Sequence, residues 1–478
     1  MNRDQNRVPK KPGKPFDNRP ARSPARPKTV SAATVSPTRA AGHVAAMMAR
    51  EYWDELAKPQ GKWLIDILRA HPEETGLLND YQKFRLRSYL EGLARWHGWL
   101  RGHNQRLVEW PLLLASLLES DRIDDNHRNW ANRCDIRPER LMALAGAPNW
   151  AVRGEGYRRI VGSQKANVDP WSLLPGWVRN HLPTVPAEES AKNWHSQILE
   201  GFQHRPHQWL RVRDLGKHKT IQDNIEKLEE ATGQSPWRAR KMAASIRFGK
   251  HVPIARQGET WGWINQDFSD QAVAAISDPD PGERWCVLEP EKLSVVIDLA
   301  DRMKGKGLVV VASTSEKLLK SAALLARRCG CHNVTTKPCG KETLPGKASS
   351  YDGILIQTAG MAMNRWRTEP EMRLRSDEAK LRPTVELIQN RLKTAITGLK
   401  PGGRLIYAVG SMTAEETEKM ADWVVENHPG LVPQELVDPR NGELGPARLF
   451  MWPDHNWGEA LFITKWLKSA LKPESAKP

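Results

Sequence analysis

From about residue 256 the chain alternates between short apolar runs and longer amphipathic ones, and this alternation narrows the fold more than any other feature. "RWCVLEP", "GLVVVAS", "NVTTKP", "YDGILIQT", "GRLIYAV" and "EALFITKWLK" read as strands. "EKLSVVIDLADRMK", "SEKLLKSAALLARRCG", "RPTVELIQNRLKTAITGLK" and "AEETEKMADWVVENH" read as the helices between them, the second closed by a cap at Gly330. Strands that are apolar without interruption need cover on both faces, which a largely parallel sheet with helices on each side provides. The spacing therefore predicts an α/β domain, a doubly wound sheet, over residues 256–470.

Upstream of the sheet the periodicity changes twice. Residues 43–165 carry apolar side chains at helical spacing in "HVAAMMAREYWDELA", "GKWLIDILRAH", "YQKFRLRSYLEGLARWHGWL", "WPLLLASLLESD" and "RPERLMALAGAPNWAVRGEGYRRIV". Pro, Gly or Asn-Asp signals separate these runs, and an all-helical domain follows. Residues 166–255 read as a linker, "NVDPWSLLPGWVRNHLPTVP", and then a small α+β subdomain. Its strand "HQWLRVRDL" places Arg211 and Arg213 on one face, and "TIQDNIEKLEEAT" is an amphipathic helix. "SIRFGKHVPI" is a further strand, and residues 471–478 form a C-terminal tail.

Charge points to a partner class. The net charge is +16, and residues 1–40 hold ten Lys/Arg against two Asp, which is half of the total. Nucleic acid is the first partner such a balance suggests. The same segment holds seven prolines and few large apolar residues, so residues 1–42 are expected to be a disordered basic tail. Those prolines oppose the amphipathic helix of a mitochondrial presequence. No apolar run approaches the ~18 residues of a membrane span. Five cysteines without a secretory leader indicate free thiols and a cytoplasmic location.

Several motifs bring competing chemistries and fail. Neither GxxxxGK[ST] nor GxGxxG occurs. Cys329-Gly-Cys331-His332 followed by Cys339 lacks the paired knuckles of a structural zinc site and coincides with a helix cap, so no metal is expected. Ser411 has no nucleophile-elbow motif around it. The acids of "TAEETEKMADWVVE" suit the positive end of a helix.

Five segments, taken in order, carry a family likeness. They are "HQWLRVRDL", "WGWINQDFSDQAVAAI" with Gln266 and Asp267, "YDGILIQTAGMAMNRWRTEPEMRL", "LKPGGRLIYAVGSMTAEETEKM" and "PDHNWGEALFITKW". Over roughly 170–468 the chain resembles the RsmB/Sun (NSUN-type) family of RNA cytosine-5 methyltransferases. The region 43–165 is similar in size and placement to that family's NusB-like domain. The resemblance implies a Rossmann-like class I methyltransferase sheet preceded by a small α+β RNA-binding subdomain within 166–255, S-adenosylmethionine as methyl donor and RNA, ribosomal RNA above all, as partner. It also implies an RNA face built from Arg211, Arg213, Gln266, Asp267, Arg365, Trp366, Arg367 and Arg373.

The family's chemistry adds a cysteine thiolate to carbon 6 of cytosine and uses a second cysteine for product release. Here the tetrad Asp-Ala-Pro-Cys falls on Gln357, Thr358, Ala359 and Gly360. Ser-Thr-Cys falls on Ala408, Val409 and Gly410. The cofactor positions implied by the resemblance are Glu289, Ser313, Gly340 and Gln357, of which only Glu289 is a carboxylate. The Pro-Gly-Gly-Lys loop is replaced by a shorter stretch without glycine, within "VLEPEKLSVVIDLA". Cys339, the nearest thiol, reads as a small loop residue. The expectation is a non-catalytic RNA-binding protein that needs no cofactor. The alternatives are an active S-adenosylmethionine-dependent rRNA methyltransferase with an altered site, or a protein-interaction scaffold without RNA.

Overall fold

The computed structural model describes residues 37–101, 108–120, 122–184, 190–216, 220–242, 244–248, 262–340, 342–453 and 457–470. Most of the basic tail and part of "SIRFGKHVPI" lie outside them. The first helix, Pro37–Leu56, begins inside the stretch expected to be tail. Proline is favoured in a helix's first turn, and Ala41 and Ala45 are fully buried, so packing extends the helix back to it.

The described residues of 37–161 form helices and their connections, around a core that includes Tyr52, Leu90, Trp96, Trp99, Leu113 and Tyr157. The helix Asp80–Arg95 starts on a reciprocal cap in which Asn79 accepts from Gln82 N–H and Gln82 from Asn79 N–H. The stretch read as a linker is packed: Leu173, Leu174 and Val178 are buried.

The small subdomain is a sheet of β1 (Trp209–Val212), β2 (Trp237–Arg238), β3 (Ser245–Arg247) and β4 (Trp263–Asn265), in the order β2-β3-β1-β4. β4 lies within the region expected to open the large domain, yet it pairs antiparallel with β1. Its side-chain alternation does not distinguish the two sheets.

The large sheet contains β5 (Arg284–Leu288), β6 (Leu308–Ser313), β7 (Val334–Pro338), β8 (Tyr351–Thr358), β9 (Leu399–Val409) and β10 (Leu431–Pro433). A two-stranded ribbon, β11 (Leu436–Val437) with β12 (Leu444–Gly445), stands apart, and β13 (Arg448–Met451) and β14 (Leu461–Lys468) complete the set. The order is β10-β14-β9-β8-β5-β6-β7, with β13 also on β14. β5 runs parallel to both β6 and β8, whereas β14 is antiparallel to β9. Alternate residues feed two cores: Trp285, Val287, Val309 and Leu355 face one helical layer, and Cys286, Leu288, Val310 and Ile354 the other. This is the predicted doubly wound sheet, and strand order reverses between β5 and β8. Ligands of such sheets bind at the strands' carboxyl ends near that reversal.

Candidate active site

β8 and β9 end side by side at two glycine corners. Gly410 N–H donates to Thr358 O at 2.9 Å, and Asn364 N–H donates to Gly410 O at 3.0 Å. Gly360 is in the left-handed region with φ 58°, as is Ala362 at 55°. The space a side chain would take at either glycine is occupied. A Cβ on Gly360 would stand 2.3 Å from Glu416 Oε1 and 2.7 Å from Val409 Cγ2. A Cβ on Gly410 would stand 2.4 Å from the Asn364 carboxamide carbon.

Glu416 corrects one reading of the sequence. The chain makes a turn over 414–417, and the helix runs only from Glu418 to Asn427. Glu416 therefore points inward rather than decorating a helix start, and it is fully buried. It accepts hydrogen bonds from Met361 N–H at 2.9 Å, from the Thr413 hydroxyl at 2.7 Å and from the Ser411 hydroxyl. Burial pushes its carboxyl up to about 7 despite those donors. Asn364 is also buried, and its amide lies 3.4 Å from Glu291 Oε1.

At the reversal, Glu289 sits at the end of β5 with φ 47°. Its carboxylate accepts from Ser313 Oγ at 2.7 Å, Thr314 N at 2.6 Å and Thr314 Oγ1 at 2.8 Å. Burial works against its charge, but these donors outweigh burial and hold the carboxyl below its usual range. The ends of β5 and β6 are thus tied together by the acid that the resemblance assigned to the cofactor. Gly340, past the end of β7, has its open side against Thr343 Oγ1. Gln357 is buried and donates to Asp270 Oδ1 at 2.7 Å.

Asp270 belongs to a charged cluster that sequence reasoning missed. Lys292 Nζ lies 2.5 Å from Glu459 Oε2 and 3.3 Å from Asp270 Oδ2. Burial pushes Glu459 up to about 8 and Asp270 up to about 6, while the two carboxyls hold the Lys292 ammonium well above its usual range against its own burial. These residues line a cleft of about 510 Å³ with Trp209, Gln266 and Arg205. The cluster can hold a proton, but it offers no nucleophile. The Cys339 thiol is pushed up to about 11, by burial first and by Glu289 second. Burial raises Cys286 further still. A thiol so raised is protonated at neutral pH.

The expected RNA face is mostly interior. Arg213 forks onto Asp301, Nε to Oδ2 at 2.9 Å and Nη2 to Oδ1 at 2.8 Å. Arg211 reaches the same Oδ2 at 2.8 Å and donates Nε–H to Gln266 at 2.8 Å. Both arginines and Gln266 are buried, joining the small sheet to the helix Ser294–Arg302. Asp267 caps the helix Phe268–Ser277 through Ser269 N–H and also accepts from Glu459 N–H, each at 2.9 Å.

The segment 365–375 proves to be a seam between the helical domain and the sheet domain. Trp366 is fully buried against Phe202. Arg367 donates to His204 O at 3.0 Å and Gly458 O at 2.7 Å, while its own carbonyl accepts from Arg95 at 2.7 Å. Arg373 donates to Phe202 O at 2.9 Å and Trp366 O at 3.0 Å. Glu371 accepts from the Tyr52 hydroxyl at 3.0 Å and Leu64 N–H at 2.9 Å. Buried guanidiniums bonded to carbonyls lock elements together and present no charge to solvent. Of the arginines expected to face RNA, Arg365 alone reaches solvent: its side chain is 41% exposed and paired with Glu369.

Comparison with known proteins fits this architecture. Residues 292–467 match the family model described as 16S rRNA methyltransferase RsmB/F. Ribosomal RNA small subunit methyltransferase B of Erwinia tasmaniensis is 24% identical over 310 residues, 63% of this chain and 67% of that protein. The protein of that name from Salmonella dublin is 26% identical over 338 residues, 68% of this chain and 73% of its own. Among solved structures, PH0851 superposes with a TM-score of 0.64 at 17% identity, covering 91% of this chain and 99% of its own. NSun6 from Pyrococcus horikoshii with SFG has a TM-score of 0.51 at 14% identity, covering 59% and 95%. The likeness to those structures shows the fold, and residues 292–467, most of the sheet domain, are similar to the RsmB/F family of 16S rRNA methyltransferases.

Proposed function

We propose that this chain is a non-catalytic, RNA-binding member of its family, acting on ribosomal RNA in the cytoplasm with its helical domain as a NusB-like RNA-binding unit. One observation carries the reading: at both positions where the family likeness puts a thiol there is a glycine, and a buried polar side chain, Glu416 or Asn364, fills the vacated space. A site that forms the covalent cytosine adduct would hold a thiol in that space.

The residues at the strand ends do not fit S-adenosylmethionine. Glu289 uses its carboxylate on Ser313 and Thr314, the ribose-binding position is Ser313 itself, and the stretch Glu289–Leu293 contains no glycine that would let the backbone approach a ligand. RNA as partner is supported by the names of the relatives and by the net charge of +16.

Filter binding of the full chain to small-subunit ribosomal RNA tests the partner. Affinity is expected to fall linearly on a log-log scale as salt rises, by a factor on the order of 10³ between ~50 and ~200 mM if about six phosphates are contacted. Binding that is absent, or indifferent to salt, would point to the protein-scaffold alternative.

A further inference from the structure

The hairpin β2–β3 lies in the small α+β subdomain that the family likeness makes RNA-binding, and carries a surface outside the residues that likeness assigns to the RNA face. Residues 234–248 hold four cations, Arg238, Arg240, Lys241 and Arg247, and no carboxylate. Arg238, Arg240 and Lys241 are exposed. Arg238 spends one N–H on the neutral Gln222 at 3.0 Å, and among the described residues Arg240 forms no ion pair. β2 is the edge strand of its sheet, so its outer side faces no other strand of that sheet.

Among these cations stands Trp237, 44% exposed. Its ring is held on two sides, edge-to-face with Trp209 and with Trp457, each at 5.7 Å between centroids. The Arg247 guanidinium lies over the ring, 4.7 Å from its centroid. An indole fixed in orientation and backed by a guanidinium is a preformed aromatic surface, so a flat ring can stack on it at little cost in ordering. Trp209 also forms a wall of the 510 Å³ cleft, so the platform stands at the rim of the candidate site.

We infer that Trp237 and Arg247 form a stacking platform for an unpaired base of single-stranded RNA, with Arg238 and Arg240 holding the flanking phosphates. Aromatic stacking amid cations is how proteins grip single strands, because every base has a π-face and every linkage a charge. A base within a duplex is already stacked and has no free face for the indole. The inference rests on the proposal that this chain binds RNA, and adds which structural class it takes and where.

Fluorescence anisotropy of the full chain with a labelled unpaired RNA oligonucleotide, and with a hairpin of equal length, tests it. Trp237→Ala is expected to weaken binding of the unpaired strand by about 5- to 100-fold and leave hairpin binding unchanged. Trp237→Phe should retain most of the affinity, which separates stacking from loss of folding. Arg238→Glu with Arg240→Glu should weaken both ligands and flatten the salt dependence. If the wild-type chain binds RNA and Trp237→Ala changes nothing, the platform is wrong while RNA binding stands. If no RNA binds, both fall. Polyglutamate displacing the oligonucleotide as well as unlabelled RNA does would make this an acidic-protein surface and overturn the inference.

Discussion

Replacing Asp301 with alanine is expected to cost about 3–5 kcal/mol of folding stability, the range found when one partner of a buried ion pair is removed. Asp301 receives a fork from Arg213 and a third bond from Arg211, and neither arginine can turn to solvent. The loss should appear as a lower midpoint in urea with little change in slope. Asp301→Asn, which keeps the shape and one acceptor, should fall between. The same pair sets a pH dependence. Burial alone would raise the Asp301 carboxyl, but the two arginines outweigh it and hold it below the ordinary 3.8. A carboxyl depressed on folding contributes stability that is complete above its unfolded value and drains away as pH falls through the folded one. Acid unfolding of the wild type should therefore include this step, and the Asp301→Ala variant should lack it.

Reinstating the two cysteines is expected to damage the fold without creating an enzyme. Gly360→Cys forces a side chain into left-handed backbone and onto Glu416, which three donors hold in place. Steric strain and overpacking together come to about 2–5 kcal/mol. Gly410→Cys keeps ordinary backbone and meets the Asn364 carboxamide first, and should cost less, about 1–3 kcal/mol. Thermal melting of the two single variants checks the order. Adding Glu416→Ala to Gly360→Cys should recover part of the loss, because it removes the atom in the way. None of these variants is expected to transfer a methyl group to RNA.

The sheet was legible because its signal is local: uninterrupted apolar runs such as "GLVVVAS", set between helical ones, need no knowledge of distant residues. The arginines were not. Arg211 and Arg213 were correctly read as sharing one face of a strand, yet what makes that face interior is Asp301, 88 residues on from Arg213. Spacing fixes which side chains point together but not what they meet. The same holds for Arg367 and Arg373, whose carbonyl partners come, apart from the nearby Trp366, from the segment 173–204 and from Gly458. Glu416 was missed for a more local reason. Four acids before an apolar helix look like a favourable N-terminus, and only the turn at 414–417 swings one of them inside. The glycines at 360 and 410 were legible as missing thiols, whereas the side chains that fill their space come from 56 and 46 residues away in sequence (Glu416 from Gly360, Asn364 from Gly410). A signal for the hairpin platform was present in "PWRARK", an aromatic set among cations with no acid nearby.

The account turns on whether the strand ends accept the methyl donor. Isothermal titration of the full chain with S-adenosylmethionine, carried to millimolar ligand, is expected to show no heat beyond dilution, because Glu289 is committed to Ser313 and Thr314 and the approach loop has no glycine. A one-to-one isotherm with micromolar affinity would contradict the non-catalytic reading and restore the active methyltransferase.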